Sequence, residues 1–138
     1  MIRIAIDGPG GAGKSTIAKL VGDKLGLEYI DTGAMYRAVG LKLNREGIKT
    51  DDLISISNIL EETSIDFVNG KIILDGDDVS DIIRTQEISK LASIYSQIPE
   101  VRSKLVDIQR KIAAGKSVIM DGRDIGTNVL TDAELKFF

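Results

Sequence analysis

The sequence predicts an α/β fold with a parallel central sheet, helices on both faces and a small antiparallel hairpin inserted between the main elements. Three observations carry that expectation. Strand, glycine loop, helix and strand follow one another within the first thirty residues or so, a βαβ unit, whose strands run parallel. The fully apolar run Val118-Ile119-Met120 reads as a further buried strand of the same sheet. Between them, Asn69-Gly70 separates two short strand-like runs, the pattern of a two-residue hairpin turn.

Each element has its own signal. Ile2, Ile4 and Ile6 open a β-rich run bounded by Asp7-Gly8-Pro9-Gly10-Gly11. From Lys14, apolar residues at Ile17, Leu20, Val21 and Leu25 keep helical spacing, and Gly26 stands where a helix-ending glycine belongs. Leu27 to Ile30 is a second short strand ending at Asp31. A helix is expected from about Gly33 to Asn44, closed by the turn at 44–47, and Thr50-Asp51-Asp52 looks like an N-cap ahead of Leu53, Ile56 and Leu60. Ile65-Asp66-Phe67-Val68 and Lys71-Ile72-Ile73-Leu74 form the arms of the hairpin, expected to be a type I′ turn in an insert at roughly 62–84. Two helices follow. Gln86 to Ser96 carries Ile88, Leu91, Ala92 and Tyr95 on one face; Pro99 to Ala114 carries a stripe of Val101, Leu105, Ile108 and Ile112 and stops at Gly115. Leu135 begins another strand, and Lys136-Phe137-Phe138 breaks off in the middle of it. Residues 1–138 therefore read as one domain that is C-terminally incomplete.

Composition narrows the chemistry. Hydrophobic residues make up 43% and charged residues 28%, the balance of a soluble globular domain. With no cysteine and no histidine there is no disulfide, thiolate nucleophile, Cys/His zinc site or imidazole base. Catalysis has to rely on carboxylates, lysine, arginine, hydroxyls, backbone or a bound ion. The 18 Lys+Arg against 21 Asp+Glu, a net charge of −3, argue against a nucleic-acid partner. The opening apolar run is too short for a signal peptide and no stretch is long enough to span a bilayer. The expectation is a cytoplasmic protein, acting without a membrane and as a monomer.

The strongest motif is Gly8-Pro9-Gly10-Gly11-Ala12-Gly13-Lys14-Ser15, which matches G-x-x-x-x-G-K-[ST] completely. Glycines let successive backbone N–H groups turn inward onto phosphate oxygens, and the helix beginning near Gly13 adds the positive end of its dipole. Lys14 is placed to reach the β- and γ-phosphates and the Ser15 hydroxyl to coordinate Mg²⁺. The strand before and the amphipathic helix after it supply the context the motif requires. It says nucleoside triphosphate binding and leaves the second substrate open.

Two later segments lie at strand ends. Asp31-Thr32-Gly33-Ala34-Met35-Tyr36-Arg37 combines an aspartate, a hydroxyl and an arginine one turn into a helix, which fits an anion or nucleotide pocket and equally an N-cap with a surface arginine. Asp121-Gly122-Arg123-Asp124 ends a buried strand, where open α/β sheets place ligand contacts, although a D-G turn with solvated charges has the same sequence. Arg37, Arg84, Arg102, Arg110 and Arg123 are scattered; two or three of them converging would suit phosphoryl transfer, which is mostly positioning and charge neutralisation.

Together, I-D-G-P-G-G-A-G-K-S-T, Y-I-D-T-G-A-M-Y-R-A, I-R-T-Q-E-I, I-P-E-V-R and M-D-G-R-D-I-G-T closely resemble the bacterial cytidylate (CMP) kinases, collinearly across all 138 residues. The resemblance implies a P-loop kinase fold whose hairpin insert belongs to a monophosphate-binding subdomain. It implies the reaction Mg·ATP + CMP (or dCMP) ⇌ ADP + CDP (or dCDP). The nucleotide loop would comprise residues Gly8 to Ser15 and Thr16. Thr32, Arg102 and Asp124 are placed by it at the cytosine and its surroundings. Arg37 and Arg123 match the arginines that hold the acceptor phosphate, and with Lys14 they are the candidate catalytic residues. Asp121 takes a Walker-B-like place near Mg²⁺ beside Ser15. Thr32 departs mildly, since serine is common there and either hydroxyl serves. The family continues into a mobile arginine-bearing lid and adenine-flanking segments that these residues do not contain, so this chain alone is expected to be inactive or very slow. A non-catalytic nucleotide-binding module is the alternative from another class; a GTPase-like switch would need an N-K-x-D guanine-reading sequence, which the chain does not contain.

Overall fold

The computed structural model describes residues 1–8 and 13–137; Pro9, Gly10, Gly11 and Ala12 of the glycine loop and the terminal Phe138 lie outside the described residues. In chain order the elements are β1 (Arg3–Asp7), α1 (Lys14–Leu25), β2 (Glu28–Asp31), α2 (Thr32–Arg45), α3 (Leu53–Glu62), β3 (Ile65–Val68), β4 (Lys71–Leu74), β5 (Asp77–Asp78), α4 (Gln86–Tyr95), α5 (Pro99–Ala113), β6 (Val118–Gly122) and β7 (Leu135–Phe137). A 3-10 turn at Ile82–Arg84 and a π turn at Ile125–Val129 complete them. Four strands form a wholly parallel sheet in the order β2-β6-β1-β7, and three form an antiparallel sheet in the order β3-β4-β5. This is the α/β architecture of a P-loop kinase fold, as the sequence predicts. No helix among the described residues is long and apolar enough to cross a membrane.

The chain divides into two compact units, Met1–Thr32 with Gln109–Phe138, and Gly33–Ile108. The first holds the parallel sheet and α1. Its two central strands are apolar on both faces: Ile4, Ala5 and Ile6 of β1 and Val118, Ile119 and Met120 of β6 are all buried. A central parallel strand is covered on both sides, so Ala5 is inside together with Ile4 and Ile6, while Ile2 before the strand is exposed.

The periodic apolar residues of α1 do not mark its buried face. Ile17, Leu20 and Leu25 are more than half exposed, whereas Ala18 and Gly22 are buried. Ala18 packs with Ile4, Ile6, Leu27 and Ile119, with Val21 and Tyr29 half-buried against them. Small residues win that face because they let the helix axis come close. A Cβ built on Gly22 would stand 3.0 Å from the Leu27 carbonyl oxygen and 3.2 Å from Ile119 Cγ2. The helix ends as expected, with Gly26 left-handed at φ 69° and its N–H on the Gly22 carbonyl.

The second unit contains the hairpin. Asn69 and Gly70 both have positive φ, 52° and 79°, as a type I′ turn requires, and pair Phe67 with Ile72. Asp75-Gly76, with φ 50° and 88°, is a second turn of the same kind, which adds β5 to the sheet, an element beyond the two-stranded hairpin the sequence predicts. Ile65, Phe67, Ile72 and Leu74 are buried. Asp75 also accepts the Ser64 N–H at 2.8 Å and pairs with Lys42 of α2. Asp52 and Thr85 cap α3 and α4 by accepting the Ser55 and Ile88 N–H groups. On α5 the buried stripe is Val101, Leu105, Gln109 and Ala113, with Ile108 and Ile112 only half-buried.

Gly22→Ala tests the close approach of α1 to the sheet. It should destabilise the protein by about 1–3 kcal/mol, despite the higher helix propensity of alanine, and a thermal melt would register the lower midpoint; an unchanged or raised midpoint would remove the packing argument.

Candidate active site

The parallel sheet brings three carboxylates to the carboxyl ends of adjacent strands. β1 ends at Asp7, β2 at Asp31, and Asp121 lies one residue before the end of β6. Asp31 is in register with Asp121, and Asp7 with Gly122. Open α/β sheets bind their ligands at such strand ends.

Gly122 is the meeting point of the loop regions. Its carbonyl oxygen accepts the Gly8 N–H at 3.3 Å and the Lys14 ammonium at 3.0 Å. The motif lysine is therefore held against the end of β6. Gly13 precedes it in left-handed conformation, φ 77°, and its position carries no side-chain cap; a helix N-terminus of this kind suits an anion. Ser15 and Thr16 are exposed on that turn.

Asp121 is buried, 5% exposed, and accepts the Tyr29 hydroxyl at 3.0 Å. Burial pushes its carboxyl above the usual carboxylate range and the Asp31 charge adds to this, while the Tyr29 hydrogen bond and Lys14 pull the other way. Its main-chain oxygen accepts the Thr32 hydroxyl at 2.7 Å, and Thr32 is itself 3% exposed. A Cβ on Gly122 would fall 2.3 Å from Thr32 Oγ1, so only glycine fits between them.

Beyond Gly122 the chain makes a tight turn. Asp124 is left-handed, φ 51° and ψ 28°, and opens the π turn at Ile125–Val129. Asp7 Oδ1 and Oδ2 accept the Ile125 and Gly126 N–H groups at 2.6 and 2.9 Å. Asn128 donates from Nδ2 to Asp124 Oδ2 at 2.8 Å, and Arg110 at the end of α5 donates to the Asn128 carbonyl.

The candidate residues fall in two groups. Gly8, Lys14, Thr32, Asp121 and Gly122 meet within the first unit, with Arg123 exposed and Asp124 half-buried on the same loop. Arg37 belongs to the second unit, one turn into α2 and half-buried, and Arg102 lies exposed on the first turn of α5 in that unit. The sequence does not single out Tyr29 or Asn128; it marks Asp7 only as the bound of the first strand, Asp31 as the strand-end aspartate of a candidate pocket, and Arg110 as one of five scattered arginines. Asp7 had a usable signal, its place at the end of a predicted strand; Tyr29 had none, because Asp121 lies 92 positions away, and Asn128 bonds Asp124 four residues back only because of the turn that follows β6.

The family model for cytidylate kinase matches residues 4–138. The chain belongs to this family. It is 56% identical over 137 residues to a cytidylate kinase of Caldanaerobacter subterraneus subsp. tengcongensis, covering 99% of this chain and 61% of that protein. It is 56% identical over 141 residues to one of Caldicellulosiruptor saccharolyticus, covering 99% and 62%, and 52% identical over 137 residues to one of Clostridium acetobutylicum, covering 99% and 63%. The chain thus spans about three-fifths of the length of these curated relatives. Cytidylate kinase family membership accounts for the P-loop motif and the loop at β6 in one chain.

The raised Asp121 carboxyl has a consequence for stability. Its folded value lies above the ordinary 3.8, so its contribution is favourable below about pH 4 and is lost as pH rises through the raised value. At neutral pH the ionised group is carried at a cost. Asp121→Asn, which keeps an acceptor for Tyr29, should raise the ligand-free melting temperature by a few degrees at pH 7. The gain should shrink towards about pH 4. Melts of both proteins at the two pH values check this, and a variant no more stable than the parent at neutral pH would contradict it.

Proposed function

We propose that the protein transfers the γ-phosphoryl group of ATP to CMP or dCMP, giving ADP and CDP or dCDP, as a cytoplasmic monomer. The observation that carries this reading is the convergence of the P-loop lysine and the Gly8 N–H on the Gly122 carbonyl, beside buried Asp121, in a chain of the cytidylate kinase family.

The chemistry follows from the charges. An oxygen of the CMP phosphate forms the new bond to the γ-phosphorus while the bond to the β,γ-bridging oxygen breaks, and ADP leaves with the electron pair. The nucleophile is already an anion, so no general base is needed, which suits a chain without histidine. Lys14 exchanges the Gly122 carbonyl for the β- and γ-phosphate oxygens, a stronger, charged acceptor. The loop from Gly8 to Thr16 supplies backbone donors, and Arg37 and Arg123 hold the acceptor phosphate in line.

Ser15 and Asp121 suit Mg²⁺. Both offer the hard oxygen donors this ion takes, and the buried Asp121 carboxylate beside Asp31 is an environment a cation relieves. Mg²⁺ keeps several of its waters, so one hydroxyl and one carboxylate suffice, and no group of three or more His/Cys/Asp/Glu ligands occurs among the described residues. When bound, the ion neutralises charge on the β- and γ-phosphates.

Base selection is assigned to Thr32, Arg102 and Asp124. The Thr32 hydroxyl hydrogen is committed to the Asp121 carbonyl, so towards a base this oxygen presents only lone pairs. It can accept from the 4-amino group of cytosine and not from the carbonyl of uracil, and the Asp124 carboxylate discriminates in the same sense.

Calorimetric titration with CMP, and UMP as the control, tests the reading: CMP should bind clearly tighter, and equal or absent binding by a folded chain would refute it. Asp124→Ala should reduce the CMP-to-UMP preference roughly tenfold; an unaltered ratio takes Asp124 out of the base site. In the full-length enzyme, Lys14→Ala should abolish phosphoryl transfer in a coupled ADP assay, and retained turnover would refute the role of Lys14.

A further inference from the structure

Asp7 precedes the phosphate loop, yet its carboxylate faces the loop after β6. Both oxygens are engaged by main-chain donors, Oδ1 by the Ile125 N–H at 2.6 Å and Oδ2 by the Gly126 N–H at 2.9 Å. An oxygen pair occupied in this way is not poised as a metal ligand, and its charge would repel a phosphate. What it holds is the peptide immediately after Asp124. That residue has φ 51°, a left-handed conformation that non-glycine residues adopt at a cost unless the surroundings impose it.

Asp124 is fixed from the other side as well. Its carbonyl accepts the Asn128 N–H at 2.9 Å and the Thr127 hydroxyl at 3.3 Å. Its Oδ2 accepts Asn128 Nδ2 at 2.8 Å, and the Asn128 carbonyl is in turn held by Arg110. The approach on the Asp7 side is close: a Cβ on Gly126 would stand 3.3 Å from Asp7 Oδ2. Asp7 holds the backbone that follows Asp124, and Asn128 holds its carboxylate.

We infer that Asp7 and Asn128 are positioning residues for base selection, Asp7 imposing the left-handed backbone at Asp124 through the two N–H groups that follow it and Asn128 aiming the Asp124 carboxylate. This deepens the proposed function and rests on it, since it takes Asp124 as a reader of the cytosine edge. It also ties the start of the phosphate loop to the base site through one carboxylate.

The test is calorimetric titration of the parent chain, Asp7→Asn and Asn128→Ala with CMP and with UMP, each variant first checked by circular dichroism melting. Asp7→Asn keeps the side-chain volume but turns one acceptor into a donor facing an N–H group. Asn128→Ala removes the amide from an exposed position. A parent that binds CMP tighter than UMP, with the ratio falling at least about fivefold in both variants, supports the inference. A merely structural role would weaken both nucleotides alike and leave the ratio standing. A parent with no CMP preference overturns the functional reading and this inference with it, before any variant is compared. A selective parent with folded variants that keep its ratio overturns the inference alone. Should Asp7→Asn fail to fold, an unchanged ratio in Asn128→Ala is sufficient to overturn it.

Discussion

The parallel pairing of β1 with β6 is the constraint on which the rest of the site depends. It sets Asp7 opposite Gly122, residues more than a hundred positions apart in sequence. With that register in place, the Gly8 N–H and Lys14 both reach the Gly122 carbonyl, and the Asp7 carboxylate reaches the N–H groups of Ile125 and Gly126. A strand slip of one residue would turn every one of these side chains to the opposite face. The register is secured by apolar packing, since Ile4, Ala5, Ile119 and Met120 are at most 1% exposed, and each of the three large side chains, Ile4, Ile119 and Met120, contributes about 1.5–3 kcal/mol on burial.

On that apolar base the protein holds charge where it is uncomfortable. Asp121 is buried beside Asp31 at the ends of neighbouring strands, with the Tyr29 hydroxyl and the Lys14 ammonium offsetting part of the cost. Such an arrangement works against stability in the free protein; under the proposed function, a bound cation and phosphates would offset that cost. Lys14 shows the same trade. Its hydrogen bond is to a neutral carbonyl, which the proposed function has it exchange for a phosphate.

Small residues govern how closely the parts approach. Gly22 lets α1 settle on Leu27 and Ile119, and Gly122 leaves room for the Thr32 hydroxyl to reach the Asp121 carbonyl. In both places a single methyl group would collide with backbone or with a committed polar atom. The glycine of the D-G-R-D segment thus serves packing and site geometry at once.

The sequence by itself determined the local features: the βαβ unit, the P-loop motif, the Asn69-Gly70 turn, the helix caps at Asp52 and Gly26, and family membership through its collinear motifs. Each of these rests on neighbours within a few residues, which is the range over which periodicity and turn chemistry act. Only the tertiary structure decided which face of α1 is buried, because Ile17 and Leu20 match the helical period as well as Ala18 and Gly22 do, and a close approach to a sheet selects by size. It also decided the partners of Asp7, Tyr29, Thr32 and Asp124. The hydroxyl of Thr32 and the carboxylate of Asp7 find their partners 89 and 118 positions along the chain, and no local pattern encodes a hydrogen bond that exists only once two distant strands have paired.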